Sequence, residues 1–142
     1  AHNGLLGMGR EQDWACHKME HELSAAYDVA HGAGLAVLTP AWMKSVWTDN
    51  PDMFVQFSVN VMGVSKGFRD KEEVIREGIA RLQAFYRTMT LPQTLAELGI
   101  DGSRQEEMAQ KCTGQFYGRE GAIGGLKKLG WQDVYNIYQI AK

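Results

Sequence analysis

The sequence is sparing in the features that mark several large protein classes. It has two cysteines, Cys16 and Cys112, which cannot form a disulfide framework or a C-x-x-C metal knuckle. Lys+Arg number 15 against Asp+Glu 17, a net charge of −2, so there is no basic face for nucleic acid and no acidic tail. No apolar run approaches the roughly 20 residues that a membrane-spanning helix needs. The amino end, Ala1-His2-Asn3-Gly4, lacks a basic region followed by an apolar stretch. These absences predict a soluble, cytoplasmic domain that binds neither nucleic acid nor a membrane. Repeats and low-complexity linkers are also missing. A chain of 142 residues nevertheless buries about 68% of its unfolded surface and folds as one domain without covalent staples. It begins without Met, on a segment that reads as the lead into a helix, as a piece of a longer protein would.

What the chain does have is a cluster of histidines. Apart from His2, every histidine falls in the run from His17 through His21 to His31. Four residues of α-helix turn through about 400° and rise about 6 Å, so His17 and His21 leave one helix face as neighbours able to share an ion. In an unbroken helix His31 would lie about 21 Å from His17, beyond the reach of one ion. If His31 joins the site, the helix must stop between Ser24 and Asp28 and the chain must double back, a reversal that Gly32 and Gly34 are placed to permit. The segment His17-Lys18-Met19-Glu20-His21 also satisfies the inverted zinc-peptidase pattern H-x-x-E-H, with Glu20 as the base acting on a metal-bound water. The plain alternative is a helical interaction domain whose histidines are incidental. Cys16 points about 100° away from His17 around the helix and reads as a small buried hydrophobe.

Nearly every segment reads as helix. Asp13 is placed to cap a helix from Trp14 to about Tyr27, with Trp14, Met19, Leu23 and Tyr27 as core contacts. A second helix runs from near Gly32 to Val46, with Pro40 expected to kink it. Met53 to Val64 fits both strand and helix spacing and is assigned as helix, since no second strand is available to pair with it. Asp70 and Glu73 form an acidic capping box for a helix whose Ile75, Ile79, Leu82, Tyr86 and Met89 make a core stripe. A short helical turn covers about Gln93 to Leu98. Ser103 with Glu106 caps a helix to about Phe116, and a final helix spans Trp131 to Ala141. The expected class is all-α, a helical bundle-like domain with no sheet. Two glycine-rich stretches, Gly4-Leu5-Leu6-Gly7-Met8-Gly9 and Gly121-Ala122-Ile123-Gly124-Gly125, lack the strand and lysine of phosphate cradles and read as flexible connections.

The stretch from Asp13 to Ser24, followed by Asp28-Val29-Ala30-His31-Gly32-Ala33-Gly34-Leu35-Ala36 and then Pro40, resembles the signature of the iron-containing (group III) alcohol dehydrogenases, nearest to the NAD(P)H-dependent butanol dehydrogenase branch. Three histidines at offsets of four and ten are fixed together with Trp14, Glu22-Leu23, Gly32 and Pro40. The likeness extends loosely to Asn3-Gly4-Leu5 and to Asp133-Val134. It departs at Gly121 to Gly125, where some relatives carry Asn-Pro-Arg.

The resemblance implies two-domain enzymes in which an amino-terminal α/β domain holds NAD or NADP and an all-α carboxy-terminal domain, of the dehydroquinate synthase-like type, supplies part of the metal site. Residues 1–142 would be the second domain, with the dinucleotide-binding domain absent. Carried over by position, His17 and His31 match the metal ligands and His21 matches the active-site histidine near metal and substrate. An Asp and a His preceding Ala1 would complete the ligand set. Neutral imidazoles suit Fe²⁺, or alternatively Zn²⁺ or Ni²⁺. The implied substrate is a primary alcohol or aldehyde such as butanol or butanal, and this piece alone is expected to be inactive. Glu20 and Glu22 point about 100° to either side of His21, which predicts solvent or a salt bridge for both. Trp42 and Trp47 would be exposed where a missing domain normally covers them, which favours a homo-oligomer.

Overall fold

The computed structural model describes residues 7–142; His2, the resemblance at Asn3-Gly4-Leu5 and the start of the first glycine stretch lie outside them. Among the described residues there are six α-helices and no strand: α1 (Ala15–Tyr27), α2 (His31–Val46), α3 (Pro51–Asn60), α4 (Lys71–Thr88), α5 (Gln105–Thr113) and α6 (Trp131–Ile140). Short 3₁₀ turns occupy Trp47–Asp49, Ala96–Leu98 and Gln115–Tyr117. The all-α expectation holds. The segment with mixed strand and helix spacing is α3, opened by Pro51 in its first turn and by Asn50, whose side chain accepts from the Met53 amide.

The helices pack in successive layers. α1 and α2 form a hairpin, α3 packs on α4, α5 on α6, and α2 touches both α4 and α6 at the centre. Met19 and Leu23 of α1, Leu38 of α2, Ile75 and Ile79 of α4 and Ile137 of α6 are buried in the shared core. Each such side chain contributes about 1.5–3 kcal/mol on leaving water. Tyr138 of α6 is fully buried, and its hydroxyl donates to the Met19 carbonyl at 2.9 Å, which fixes α6 against the turn of α1 that carries the histidines.

Several local expectations are corrected. The α4 stripe is buried through Leu82, but Met89 lies past the helix end and is 60% exposed. Ser103 does not cap α5. Its hydroxyl donates to Asp101 instead, and the helix begins two residues later behind Arg104. Trp42 and Trp47 are half-buried against the core, and the exposed large apolar residues include Phe68, Phe85 and Tyr117. Pro40 sits buried within α2. Gly121 to Gly125 are more than a connection: Ile123 is buried, forms an antiparallel bridge with Leu129, and Gly125 lies against the Gln12 carbonyl, where a Cβ would come within 2.4 Å.

Candidate metal centre

The site is built on the α1–α2 hairpin. α1 ends at Tyr27, and Asp28 takes the left-handed conformation (φ 53°, ψ 41°) while its amide donates to the Ser24 carbonyl, satisfying one of the last carbonyls of the helix. Asp28 is one of the few non-glycine residues that tolerate this region. Ala30 is extended and His31 opens α2, so residues 28–30 reverse the chain. The reversal expected of Gly32 and Gly34 is therefore made earlier, and both glycines lie in the first turn of α2.

The amino end of α1 is held from the far end of the chain. Asp13 stands one residue outside the expected cap position; its Oδ1 accepts from the Ala15 amide at 2.7 Å. Its Oδ2 accepts from the Gly125 and Leu126 amides, both at 2.9 Å. Trp14, expected in the core, is 39% exposed, and its ring meets His17 edge-on at 5.0 Å between centroids. A hollow of ≈ 300 Å³ lined by Arg10, Gln12, Asp13, Trp14 and His17 opens beside this pair.

The hairpin brings His31 to both His17 and His21, by the reversal that the offsets make necessary if the three are to meet. The His31 ring lies 5.3 Å from that of His17 and 5.5 Å from that of His21, between centroids. His21 and His31 are exposed and His17 is half-buried, so the cluster faces outward from the turn. Partial desolvation, reinforced by the neighbouring His31 and His21, holds the His17 imidazolium less stable than usual and lowers its pKa. A neutral ring keeps a lone pair for a ligand.

Glu20 meets the salt-bridge half of its expectation, but inside the fold. Its side chain is fully buried, not in solvent, and one carboxylate oxygen pairs with Nδ1 of His31. The other lies 2.5 Å from the Ser24 hydroxyl. Gly34 of α2 makes the space: a Cβ there would fall 2.7 Å from Glu20 Cγ and 2.9 Å from Oε1. A carboxylate enclosed in this way has neither exposure nor a free oxygen for the base role of the inverted peptidase pattern. Glu20, His21 and His31 also offer ligand atoms that all lie within 4.8 Å of one another. Glu22 is half-buried, its carboxyl raised by desolvation against the opposing charge of Lys111. The periodicity of α1 fixes the angle at which Glu20 leaves the helix. Which flank α2 covers is a tertiary fact, and the only hint in the sequence is Ser24, one turn beyond Glu20 and able to reach it.

The profile of the Fe-containing alcohol dehydrogenase family, C-terminal, matches residues 3–141. The chain belongs to this family. Among curated proteins of the family, NADH-dependent butanol dehydrogenase A of Clostridium acetobutylicum is 39% identical over 138 residues, covering 96% of this chain and 34% of the relative. Probable NADH-dependent butanol dehydrogenase 1 of Bacillus subtilis is 37% identical over 135 residues, covering 95% and 34%. The crystal structure of NADH-dependent butanol dehydrogenase A from Thermotoga maritima superposes with a TM-score of 0.80 at 33% identity, covering 91% of this chain and 33% of that one. The E. coli aldehyde reductase YqhD, free of substrate and cofactor, gives 0.83 at 26% identity, covering 93% and 33%. The chain thus spans about a third of the length of these relatives.

Proposed function

We propose that this chain is the metal-binding helical domain of an NAD(P)-dependent alcohol dehydrogenase or aldehyde reductase, acting on a primary alcohol or aldehyde such as butanol or butanal. The observation that carries the reading is the convergence of His17, His21 and His31 on one outward face at the α1–α2 turn. Family membership and the names of the butanol dehydrogenase relatives support the reaction class.

The donor set fits a divalent transition ion. Imidazole nitrogens suit iron, zinc and nickel alike, and the shared face leaves room for ligands from elsewhere. His17 and His31 would hold the ion, with an Asp and a His from an amino-terminal α/β domain completing the set. When bound, the ion supplies Lewis-acid polarisation of the substrate oxygen, and the nicotinamide supplies or accepts the hydride. The chain's own residues do the rest. His17, kept neutral by its surroundings, offers a lone pair at neutral pH. His21, exposed and one turn beyond His17, is positioned to orient the substrate oxygen or to exchange a proton with it.

The test is a reconstitution. These 142 residues alone should bind metal weakly and reduce no aldehyde, whereas the whole enzyme should oxidise NADH or NADPH with butanal. In the whole enzyme, His17→Ala and His31→Ala should each strip the metal. His21→Ala should retain it while kcat falls by about 10²–10⁴, the usual range for loss of a general acid-base group. NAD(P)H-dependent aldehyde reduction by the isolated chain, or full metal occupancy in both ligand variants, would sink the proposal.

A further inference from the structure

The carboxylate of Glu20 is buried where an unpaired charge would be costly, and every polar contact it makes is directed at the metal-bearing turn. One oxygen pairs with Nδ1 of His31, and the other is held 2.5 Å from the Ser24 hydroxyl. Ser24 is in turn 3.1 Å from the Val29 carbonyl, inside the reversal itself. The contact spans both helices, since Glu20 lies on α1 and His31 opens α2.

From this arrangement we infer that Glu20 is the positioning residue of His31: it accepts the Nδ1–H, selects that tautomer and presents Nε2 to the ion. The inference rests on the metal reading above. A neutral imidazole carries one N–H, and the nitrogen bonded to an acceptor is the one that keeps it. A carboxylate against the remote nitrogen fixes the ring's orientation and leaves the lone pair of the other nitrogen for a ligand. The carboxylate is itself held in place. Ser24 fixes one oxygen, and the missing side chain of Gly34 leaves the channel through which Glu20 reaches α2. A competing arrangement has Glu20 as a direct ligand alongside His21 and His31, since ligand atoms of the three lie within 4.8 Å of one another. That would require the carboxylate to abandon His31 Nδ1 and turn from a buried pocket towards the exposed face.

The inference is tested by the tautomer of His31 in the metal-free chain, and the two arrangements separate by metal affinity in the whole enzyme. Long-range ¹H–¹⁵N spectra of the full chain labelled at histidine, recorded at pH 8, should show His31 as the Nδ1–H tautomer. In Glu20→Ala it should relax to a mixture rich in Nε2–H, and in Glu20→Gln, whose amide oxygen still accepts, Nδ1–H should persist. Competition of the whole enzyme with a chelator for Zn²⁺ should show affinity reduced about 10–100-fold by Glu20→Ala, a range typical of such supporting carboxylates, and less by Glu20→Gln. If Glu20→Ala does not fold, Glu20→Gln, of nearly the same volume, carries both measurements. A wild-type His31 in the Nε2–H form overturns the inference, as does a Glu20→Gln enzyme that loses as much affinity as a direct ligand variant such as His31→Ala. Zn²⁺ affinity unchanged by His17→Ala and His31→Ala would instead remove the metal reading, whatever the tautomer.

Discussion

Gly78 of α4 sits against Ser58 of α3 so closely that a Cβ at Gly78 would lie 2.0 Å from Ser58 Oγ, 2.5 Å from its Cβ and 3.0 Å from its Cα. Rotating the serine hydroxyl away could relieve only the first of these contacts, because the others involve atoms fixed by the backbone of α3. Ser58 is also bonded to the Phe54 carbonyl at 2.8 Å within its own helix. Gly78→Ala should therefore destabilise the fold by about 1–3 kcal/mol through overpacking, despite the roughly 1 kcal/mol by which alanine outranks glycine in a helix. Chemical denaturation checks it. The penalty should shrink in a Ser58→Gly background, and an unchanged penalty would show that the α3–α4 approach is not what excludes the side chain.

Asp13 ties residues more than a hundred positions apart, with Oδ1 at the start of α1 and Oδ2 on the amides of Gly125 and Leu126. Replacing it by Ala leaves those donors without their acceptor, at a cost of about 1–3 kcal/mol. Hydrogen exchange should accelerate at the Gly125 and Leu126 amides more than at the core amides of α4. Uniform acceleration across the chain would contradict a local anchor.

Both thiols are held far from reactivity. Burial pushes Cys16 up to about 12 against the opposing Thr39 hydrogen bond, and burial with the Glu22 charge pushes Cys112 up to about 12. At pH 8 the thiolate would be about one part in 10⁴ of either residue. A thiol-exchange reagent such as DTNB should leave native protein unmodified on the timescale in which guanidinium-unfolded protein reacts at both positions. Rapid labelling of the native state would refute this.

Glu107 of α5 is bonded to Arg104 and to Lys111, and these partners bring its carboxyl down to about 2. Because the folded value lies below the unfolded one, the contribution to stability is present above about pH 4.5 and disappears as pH falls towards 2. Glu107→Gln should lower Tm slightly at pH 7 and flatten the acid limb of the Tm curve between about pH 5 and 2. The effect should weaken in high salt, since these groups lie at the surface. An acid limb parallel to the wild type would show that the pairs carry no linkage.

The helices were largely legible because each signal acts over one or two turns. Asp70 reads as a cap because the Glu73 amide is three residues away, and the structure has that bond at 2.8 Å. The offsets of four and ten likewise determine that His31 can meet His17 and His21 only across a reversal, and the reversal is there. What escaped depends on which neighbour covers which flank. Glu20 and Glu22 flank His21 symmetrically in sequence, yet α2 encloses the first and leaves the second half-buried. Ser103 failed as a cap because it lies one residue outside the cap position, held in a turn by its amide and hydroxyl, which both donate to Asp101 Oδ1. Gly34 gave no sign of its role, because a glycine that makes room for a distant side chain looks the same in sequence as one that turns the chain.

The three-residue link between α1 and α2 also has a kinetic meaning. His17 and His31 are separated by so short a contour that bringing them together costs little loop-closure entropy. Helix–coil relaxation and the closure of a short loop each take about a microsecond or less, and topologies rich in such local contacts fold fast. The histidine face thus rests on a closure of short contour, whereas the anchor between Asp13 and Leu126 closes a loop of more than a hundred residues.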